Sequence, residues 1–466
     1  MADDNPPLII SKIGIIGAGV SGIAAAKQLS HHNPVVFEAT DSVGGVWKTC
    51  AYNSTKLQSA RKDYEFSDFS WPNRDDPSFP THVEIVDYLE SYAKHFDVLK
   101  FVKFNSKVTE LRFVGNPGTY VSPFPGHPVW QIAVQTNGSE ILQWYAFEFV
   151  VVCIGKYGDI PKIPKFQNNK GPEVFQGKVL HSLDYCKLDK EAATQLLKGK
   201  KVAVIGYKKS AIDLAVECAE ANQGPEGEPC TMVVRTLHWT VPHYWVWGLP
   251  FFLFYSTRSS QFLHERPNQG ILRTLLCYLL SPLADKGNIV FKKSSNWWFC
   301  KEGIQFDDDT KMKADVVILA TGYDGKKKLK TILPDPFRSL IEYHPSGIMP
   351  LYRGTIHPFI PNMAFVGYIE SVANLHTSEI RSMWLARYVD EKFKLPSAEN
   401  MLGQIYKEME VSRRITRFYK RHCISTFSIN HSDEICEEMG WNSWRKRSWF
   451  AEAFSPYGSQ DYSDKN

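Results

Sequence analysis

The chain has no C-x-x-C pair, no block of like charges, no low-complexity linker and no uninterrupted apolar run of membrane-spanning length. Its nine cysteines are widely scattered. They indicate neither a zinc site nor a disulfide framework, so no metal is expected, and an odd count suits a reducing compartment. The 54 basic and 50 acidic residues leave a net charge of +4, too small and too evenly spread for a nucleic-acid-binding tail. Lys326-Lys327-Lys328 reads as a solvated surface turn. Residues Met1 to Pro7 are polar and acidic and run straight into a strand, unlike a secretory signal. The most aromatic stretch, Tyr244 to Tyr255, is broken by Gly248 and Pro250. It is expected to form a buried or substrate-facing wall and not a span. These absences predict a soluble, cytoplasmic protein with no nucleic-acid partner and no transmembrane segment.

What is present is an ordinary globular composition, 43% hydrophobic and 22% charged, over 466 residues. That length exceeds one compact core and suits two or three packed units. Ile13 to Ile16 forms an apolar strand that stops at Gly17-Ala18-Gly19-Val20-Ser21-Gly22, followed at once by the helix formers Ile23 to Leu29. Strand, G-x-G-x-x-G and helix stand in the order of a dinucleotide-binding turn. Gly17 makes the tight turn, Gly19 lets backbone approach a pyrophosphate, and Gly22 allows helix and strand to pack closely. The helix N-terminus offers unpaired N–H groups to the phosphates. A second strand, Pro34 to Phe37, ends at Glu38, where a carboxylate hydrogen-bonds a ribose hydroxyl and repels a 2′-phosphate. This site should hold FAD or NAD. The pattern Glu38-x₅-Gly44-Gly45-Val46-Trp47 resembles the second signature of FAD-binding enzymes, with Gly45 and Trp47 beside the cofactor, and points to FAD.

A second unit repeats the order. Lys201 to Ile205 leads into Gly206-Tyr207-Lys208-Lys209-Ser210-Ala211 and a helix from Ile212 to Ala219. Lys208 replaces the middle glycine; it can add charge near a pyrophosphate, and Ser210 a hydroxyl contact. The next strand, Thr231 to Val234, ends in Arg235, and an arginine pairs bidentately with a phosphate. The second site should therefore prefer NADPH. A third strand, Asp315 to Leu319, enters Ala320-Thr321-Gly322-Tyr323. In two-dinucleotide flavoproteins such a run marks the return to the FAD unit, which places Thr321 and Gly322 beside cofactor. Phe149 to Cys153 resembles the outward crossing. The expected fold is α/β, with two Rossmann-like domains and the NADPH domain (161–325) inserted in the FAD domain (1–160 and 326–466, the latter with a C-terminal helical region).

Between the two sites, Phe175 to Tyr185 reads F-x-G-x-x-x-H-x-x-x-Y. This resembles the fingerprint of flavin-containing monooxygenases; Baeyer–Villiger enzymes carry tryptophan at the last position. The resemblance runs over almost the whole chain. It implies an NADPH- and O₂-dependent oxygenase of a small nucleophile, with His181 at a domain junction and not an acid or base. Where many members have asparagine beside the flavin ring, this chain has Gln58, the expected catalytic amide. Within the plant branch, residues 231–268 and the ending Ser455 to Tyr462 are similar to defence-associated members that hydroxylate the ring nitrogen of pipecolic acid. That implies a small amine substrate and a place in systemic acquired resistance. Arg381 is a candidate donor to its carboxylate. The alternatives are an S-oxygenase of the same family, or an FAD/NADP-binding protein that does not turn over, because Leu279 to Lys286 is short against the family's pattern. A flavin disulfide reductase needs paired cysteines beside the flavin, and Cys50 has no sequence neighbour.

Overall fold

The computed structural model describes residues 9–72, 78–115, 122–223, 227–235, 245–246, 249–250, 257, 289–341, 349–371, 373–415 and 429–464. Its strands, in chain order, begin with β1 Ile9–Ile16, β2 Val35–Phe37, β3 Val102–Lys103, β4 Ser106–Phe113, β5 Trp130–Thr136 and β6 Leu142–Val152. There follow β7 Lys178–His181, β8 Val202–Ile205, β9 Cys230–Val234, the short β10 Trp245–Val246 and β11 Leu249–Pro250, and β12 Ile289–Lys293. The last are β13 Trp297–Cys300, β14 Gly303–Phe306, β15 Lys311–Lys313, β16 Val316–Leu319 and β17 Met363–Phe365.

Two sheets carry the architecture. The first runs β3-β2-β1-β6-β5-β4, with β17 added beside the end of β6. Its β3-β2-β1-β6-β17 part is parallel, and β4 and β5 form an antiparallel excursion. The second, β12-β9-β8-β16-β7, is parallel throughout. In each, the first strand of the unit lies centrally, with the next strand on one side and the returning strand on the other. The chain thus reverses its progression at β1–β6 and at β8–β16, and the crevice beyond those strand ends is where such sheets bind ligands.

Both sheets are covered on both faces, so their strands read as unbroken apolar runs. In β16, Val316 and Ile318 join one hydrophobic cluster while Val317 and Leu319 join another. Adjacent β8 alternates likewise, Val202 and Val204 against Ala203 and Ile205. This is the period of two that a pleated strand imposes. The helix Val20–Gln28 packs its small residues Ala24, Ala25 and Ala26, all inaccessible to solvent, under the first sheet and against the long helix Asn374–Val389.

The chain passes between the sheets twice, and the two crossings pair. Lys162 N–H donates to Gly322 O (2.9 Å) and Asp324 N–H to Ile160 O (2.9 Å). The triple lysine is not the surface turn expected from its charge. It lies in a helix, Gly325–Lys330, whose N-cap Asp324 accepts from Lys327 N–H. Lys328 pairs with the exposed Asp159 (2.6 Å) and donates to the Ile154 carbonyl (2.8 Å). A cap, the ion pair with Asp159 and the Ile154 carbonyl hold this helix together despite its like charges.

Helix Asn374–Val389 also contains a buried acid. Glu379 accepts from Ser67 N–H (2.8 Å) and Ser67 Oγ–H (3.0 Å). Burial, reinforced by the Asp68 carboxylate, pushes its pKa up to about 8. The folded state therefore keeps a proton that the unfolded chain loses near pH ~4.3. Stability is therefore greatest below that value and is lost progressively as pH rises toward 8. Glu379→Gln keeps the shape and the neutral state. It is expected to raise Tm more at pH 8 than at pH 5 in a thermal melt; an equal change at both pH values would show Glu379 ionised throughout.

Candidate active site

The first glycine turn is closed by backbone on three sides. Gly17 has φ +97°, and its N–H donates to Phe37 O (2.7 Å). A Cβ there would lie 2.8 Å from the Cys153 carbonyl oxygen, and one on Gly22 1.8 Å from Gly17 O. Only glycine serves at either position. Gly19 differs: it is the N-cap of the helix Val20–Gln28, in extended backbone, with no side-chain cap. Its Cβ would meet nothing nearer than Gly45 Cα, at 3.6 Å. The first amides of that helix are therefore open donors above a backbone cradle, which is what a pyrophosphate needs. Gly44 N–H donates to Ala18 O (3.2 Å) and sets the Gly44-Gly45 turn across from Gly19.

Glu38 is buried, and Ala18 N–H reaches its Oε2 at 2.7 Å while Thr40 N–H and Oγ–H reach Oε1. Oε2 keeps a second lone pair for a ribose hydroxyl. Ser21 turns its hydroxyl to Ser378 (3.0 Å), and a Cβ on Gly367 would lie 2.3 Å from that oxygen. Trp47 donates its indole N–H to the buried Tyr64 hydroxyl (3.0 Å) and props the loop from behind. Val20, half-buried, begins the helix.

The second turn repeats the closing backbone contacts of the first. Gly206 N–H donates to Val233 O (3.1 Å), and a Cβ on Gly206 would lie 2.5 Å from the Ala320 carbonyl oxygen. The helix here is Lys209–Ala221, three residues longer at its start than its apolar pattern suggests, and its N-cap Lys208 has no side-chain cap. Half-buried Tyr207 and buried Ala211 flank the opening. Lys209 pairs with Asp213 one turn along. Register sharpens the reading of the arginine. Ile16 pairs with Phe37, and Ile205 with Val233, so Val234 stands where Glu38 stands and Arg235 lies one residue beyond. Val234 is buried and uncharged while Arg235 is exposed. The position that is an acid in the first site is apolar in the second, with an exposed cation next to it.

His181, buried at the end of β7, accepts from Leu183 N–H on Nδ1 (3.0 Å) and faces Gly322 O with Nε2 (3.1 Å). Nδ1 as acceptor makes Nε2 the protonated nitrogen, and burial lowers the imidazole pKa, so the ring is a neutral brace. Thr321 donates its hydroxyl to Lys162 O (2.5 Å) and serves the crossing, while Gly322 (φ +89°) has open space at its Cα.

Gln58 is exposed on a loop held on both sides. Leu57 N–H donates to Pro80 O (2.8 Å), Ser59 is buried, and Arg61 pairs with Glu84 and donates to Ser78 O (2.9 Å). Arg381 is unsuited to a substrate carboxylate: it is buried and donates to the carbonyls of Arg353 (3.0 Å) and Thr377 (3.1 Å). The wall at 244–255 lies outside the described residues except for the backbone of β10 and β11, and the short join at 279–286 lies wholly outside them. Sequence reasoning missed Cys153, Gly367 and Ser378 as parts of the first cradle. Of these, Gly367 carries a sequence signal, a glycine that follows the apolar strand Met363–Phe365 after one more residue.

Comparison with known proteins agrees with this geometry. The profile of the flavin-binding monooxygenase-like family matches residues 10–282 and 286–444. The Arabidopsis thaliana protein named "Probable flavin-containing monooxygenase 1" is 62% identical over 519 aligned positions, covering 99% of this chain and 98% of that one. Since 519 exceeds the chain's 466 residues by 53, at least that many positions of the relative have no counterpart here. The family match itself parts at 283–285, inside the short join. The fold is shared with S-allyl-L-cysteine S-oxygenase of Allium sativum (TM-score 0.62, 21% identity, 93% of this chain and 90% of that one). It is shared also with NADP⁺-bound cyclohexanone monooxygenase of Rhodococcus sp. Phi1 (TM-score 0.64, 17% identity, 92% and 97%). Among the described residues no helix is long and apolar enough to cross a membrane. With two matching dinucleotide cradles and a family match over nearly all its length, the chain belongs to the flavin-binding monooxygenase family and is an FAD- and NADPH-dependent oxidoreductase.

Proposed function

We propose that the chain N-hydroxylates pipecolic acid, in the cytoplasm, as a step of plant defence and systemic acquired resistance. The observation that carries the oxygenase half of this reading is the exposed Gln58 on a pinned loop, in a chain with two uncapped pyrophosphate platforms. The substrate half rests on the likeness of residues 231–268 and 455–462 to plant members of that activity. FAD, when bound, supplies the redox chemistry that takes electrons from NADPH and delivers one oxygen atom of O₂ to the nucleophile.

The residues have separate tasks. The amides of Gly19 to Ser21, with Ala18 and Gly45 beside them, hold the FAD pyrophosphate, and Glu38 takes a ribose hydroxyl. Gly206 to Ala211 hold NADPH in a unit spanning 161–325, Arg235 takes its 2′-phosphate, and Gly322 gives it backbone clearance. The Gln58 amide hydrogen-bonds beside the flavin ring and keeps water from it. A secondary amine with a pKa near ~10 is protonated in water and has no lone pair to offer. A pocket that favours the neutral amine by desolvation is therefore required.

The test is a product screen with NADPH, O₂, pipecolate, piperidine and simple thioethers. N-hydroxypipecolate is expected, with turnover rising with pH through neutrality and piperidine binding worse. Thioether oxides without the N-hydroxy product would make the chain an S-oxygenase. A yellow protein that consumes NADPH slowly and yields only peroxide would show that the short join has cost it turnover. Gln58→Leu is expected to leave flavin reduction by NADPH unchanged while a larger share of the electrons ends in H₂O₂. An unchanged product-to-NADPH ratio would remove Gln58 from the chemistry.

A further inference from the structure

We propose that Glu217 is a positioning residue that sets the NADPH-binding helix against the loop carrying Gln58. Its carboxylate joins three separate pieces of chain. Oε1 accepts from Ser54 N–H (2.8 Å) and Ser54 Oγ–H (2.5 Å), and Oε2 accepts from the Tyr185 hydroxyl (2.7 Å). Ser54 follows the Gly44–Trp47 turn of the first cradle and stands four residues before Gln58. Tyr185 ends the short helix Ser182–Tyr185 that follows β7 and is the last residue of the F-x-G-x-x-x-H-x-x-x-Y pattern. Glu217 lies on the helix Lys209–Ala221, about 12 Å along its axis from the N-terminus that faces the second pyrophosphate.

The chemistry of the contact is specific to a carboxylate. All three partners are donors, and an ionised carboxylate is acceptor-only with room for all of them. Hydrogen bonds to a charged acceptor are about twice as strong as neutral ones. The rings behind it are packed: Tyr52 and Tyr185 meet edge-on with centroids 5.9 Å apart, and both are almost wholly buried.

The place of the contact gives it its role. The paired crossings at residues 160–162 and 322–324 are a two-stranded joint, and such a joint permits rotation of one sheet against the other. A contact made by other elements is needed to hold the angle. Glu217 supplies it between a segment of the first cradle and the helix of the second. The distance between the nicotinamide end of NADPH and the flavin ring depends on that angle, and a misplacement of about 1 Å costs on the order of a hundredfold in rate. The proposal rests on the second turn taking NADPH, and is independent of which substrate is oxygenated.

The experiment uses the purified flavin-loaded protein and no organic substrate. Bound flavin is reduced anaerobically with NADPH and followed by its absorbance, with dithionite as a reductant that needs no coenzyme. Flavin content, Tm and hydrogen exchange over residues 54–60 are measured alongside. Glu217→Ala is expected to retain flavin and normal dithionite reduction, to exchange faster at 54–60, and to be reduced by saturating NADPH about tenfold more slowly or worse. Glu217→Gln, which keeps an acceptor for Ser54, should recover part of that rate. Tyr185→Phe keeps the ring packing, deletes one donor and should show a smaller loss, so it serves if Glu217→Ala does not fold. A lowered Tm with an unchanged rate of reduction by NADPH in these variants would make Glu217 merely structural and overturn the proposal. Wild-type flavin that NADPH does not reduce would overturn the coenzyme reading and this proposal with it. A failure to oxygenate pipecolate touches neither.

Discussion

Gly19→Val is expected to give a folded protein that purifies without flavin. Gly19 has extended backbone (φ −71°, ψ −170°) that any residue adopts, and a Cβ would find only an ordinary contact with Gly45 Cα at 3.6 Å. The protein itself therefore tolerates a side chain there. What does not tolerate it is a pyrophosphate lying on the helix amides, because the valine would fill the space between Gly19 and the phosphates. Flavin content should fall to about a tenth or less, at least ~1.4 kcal/mol of binding. The measurement is the flavin-to-protein absorbance ratio together with a thermal melt of the apoprotein. Gly22→Ala is the contrast. Its Cβ would lie 1.8 Å from Gly17 O, so it should lower stability as well as flavin content. A full complement of flavin in Gly19→Val would refute the cradle.

Arg235→Ala is expected to weaken NADPH roughly ten- to a hundredfold, the loss of about 1.5–3 kcal/mol for a charge-assisted contact, and to leave NADH almost unchanged. The exposed guanidinium stands one residue past buried Val234, at a strand end whose counterpart in the first site is Glu38. Val234→Glu should act in the same sense by placing a carboxylate at the position of Glu38, at some cost in stability because Val234 is buried. Titration of each variant with both coenzymes checks the pair. Equal losses for NADPH and NADH in Arg235→Ala would mark the arginine as structural.

Much of the site was legible because its signals are local. A strand that stops at a turn forced to φ +97°, as at Gly17, followed at once by a helix, leaves glycine in the sequence at that point. The triple lysine misled for a related reason: charge alone suggested a solvated turn, and the cap at Asp324 with the partners Asp159 and the Ile154 carbonyl made a helix of it. Arg381 misled too, since a helix position does not say which way a guanidinium turns, and here it turns to two core carbonyls.

The sequence by itself determined two strand–glycine turn–helix units and the acid that closes the first pair of strands, because each depends on residues only a few positions apart. Tertiary structure alone decided what lies across from those turns. Cys153 and Ala320 close the two cradles from strands that return more than a hundred residues later, and Gly367 and Ser378 hold Ser21 from the far end of the chain. It also decided that Val234, and not Arg235, occupies the place of Glu38, since register is a property of paired strands. And it brought Glu217 to Ser54 across 163 positions, a contact between side chains that no spacing along one strand or helix encodes.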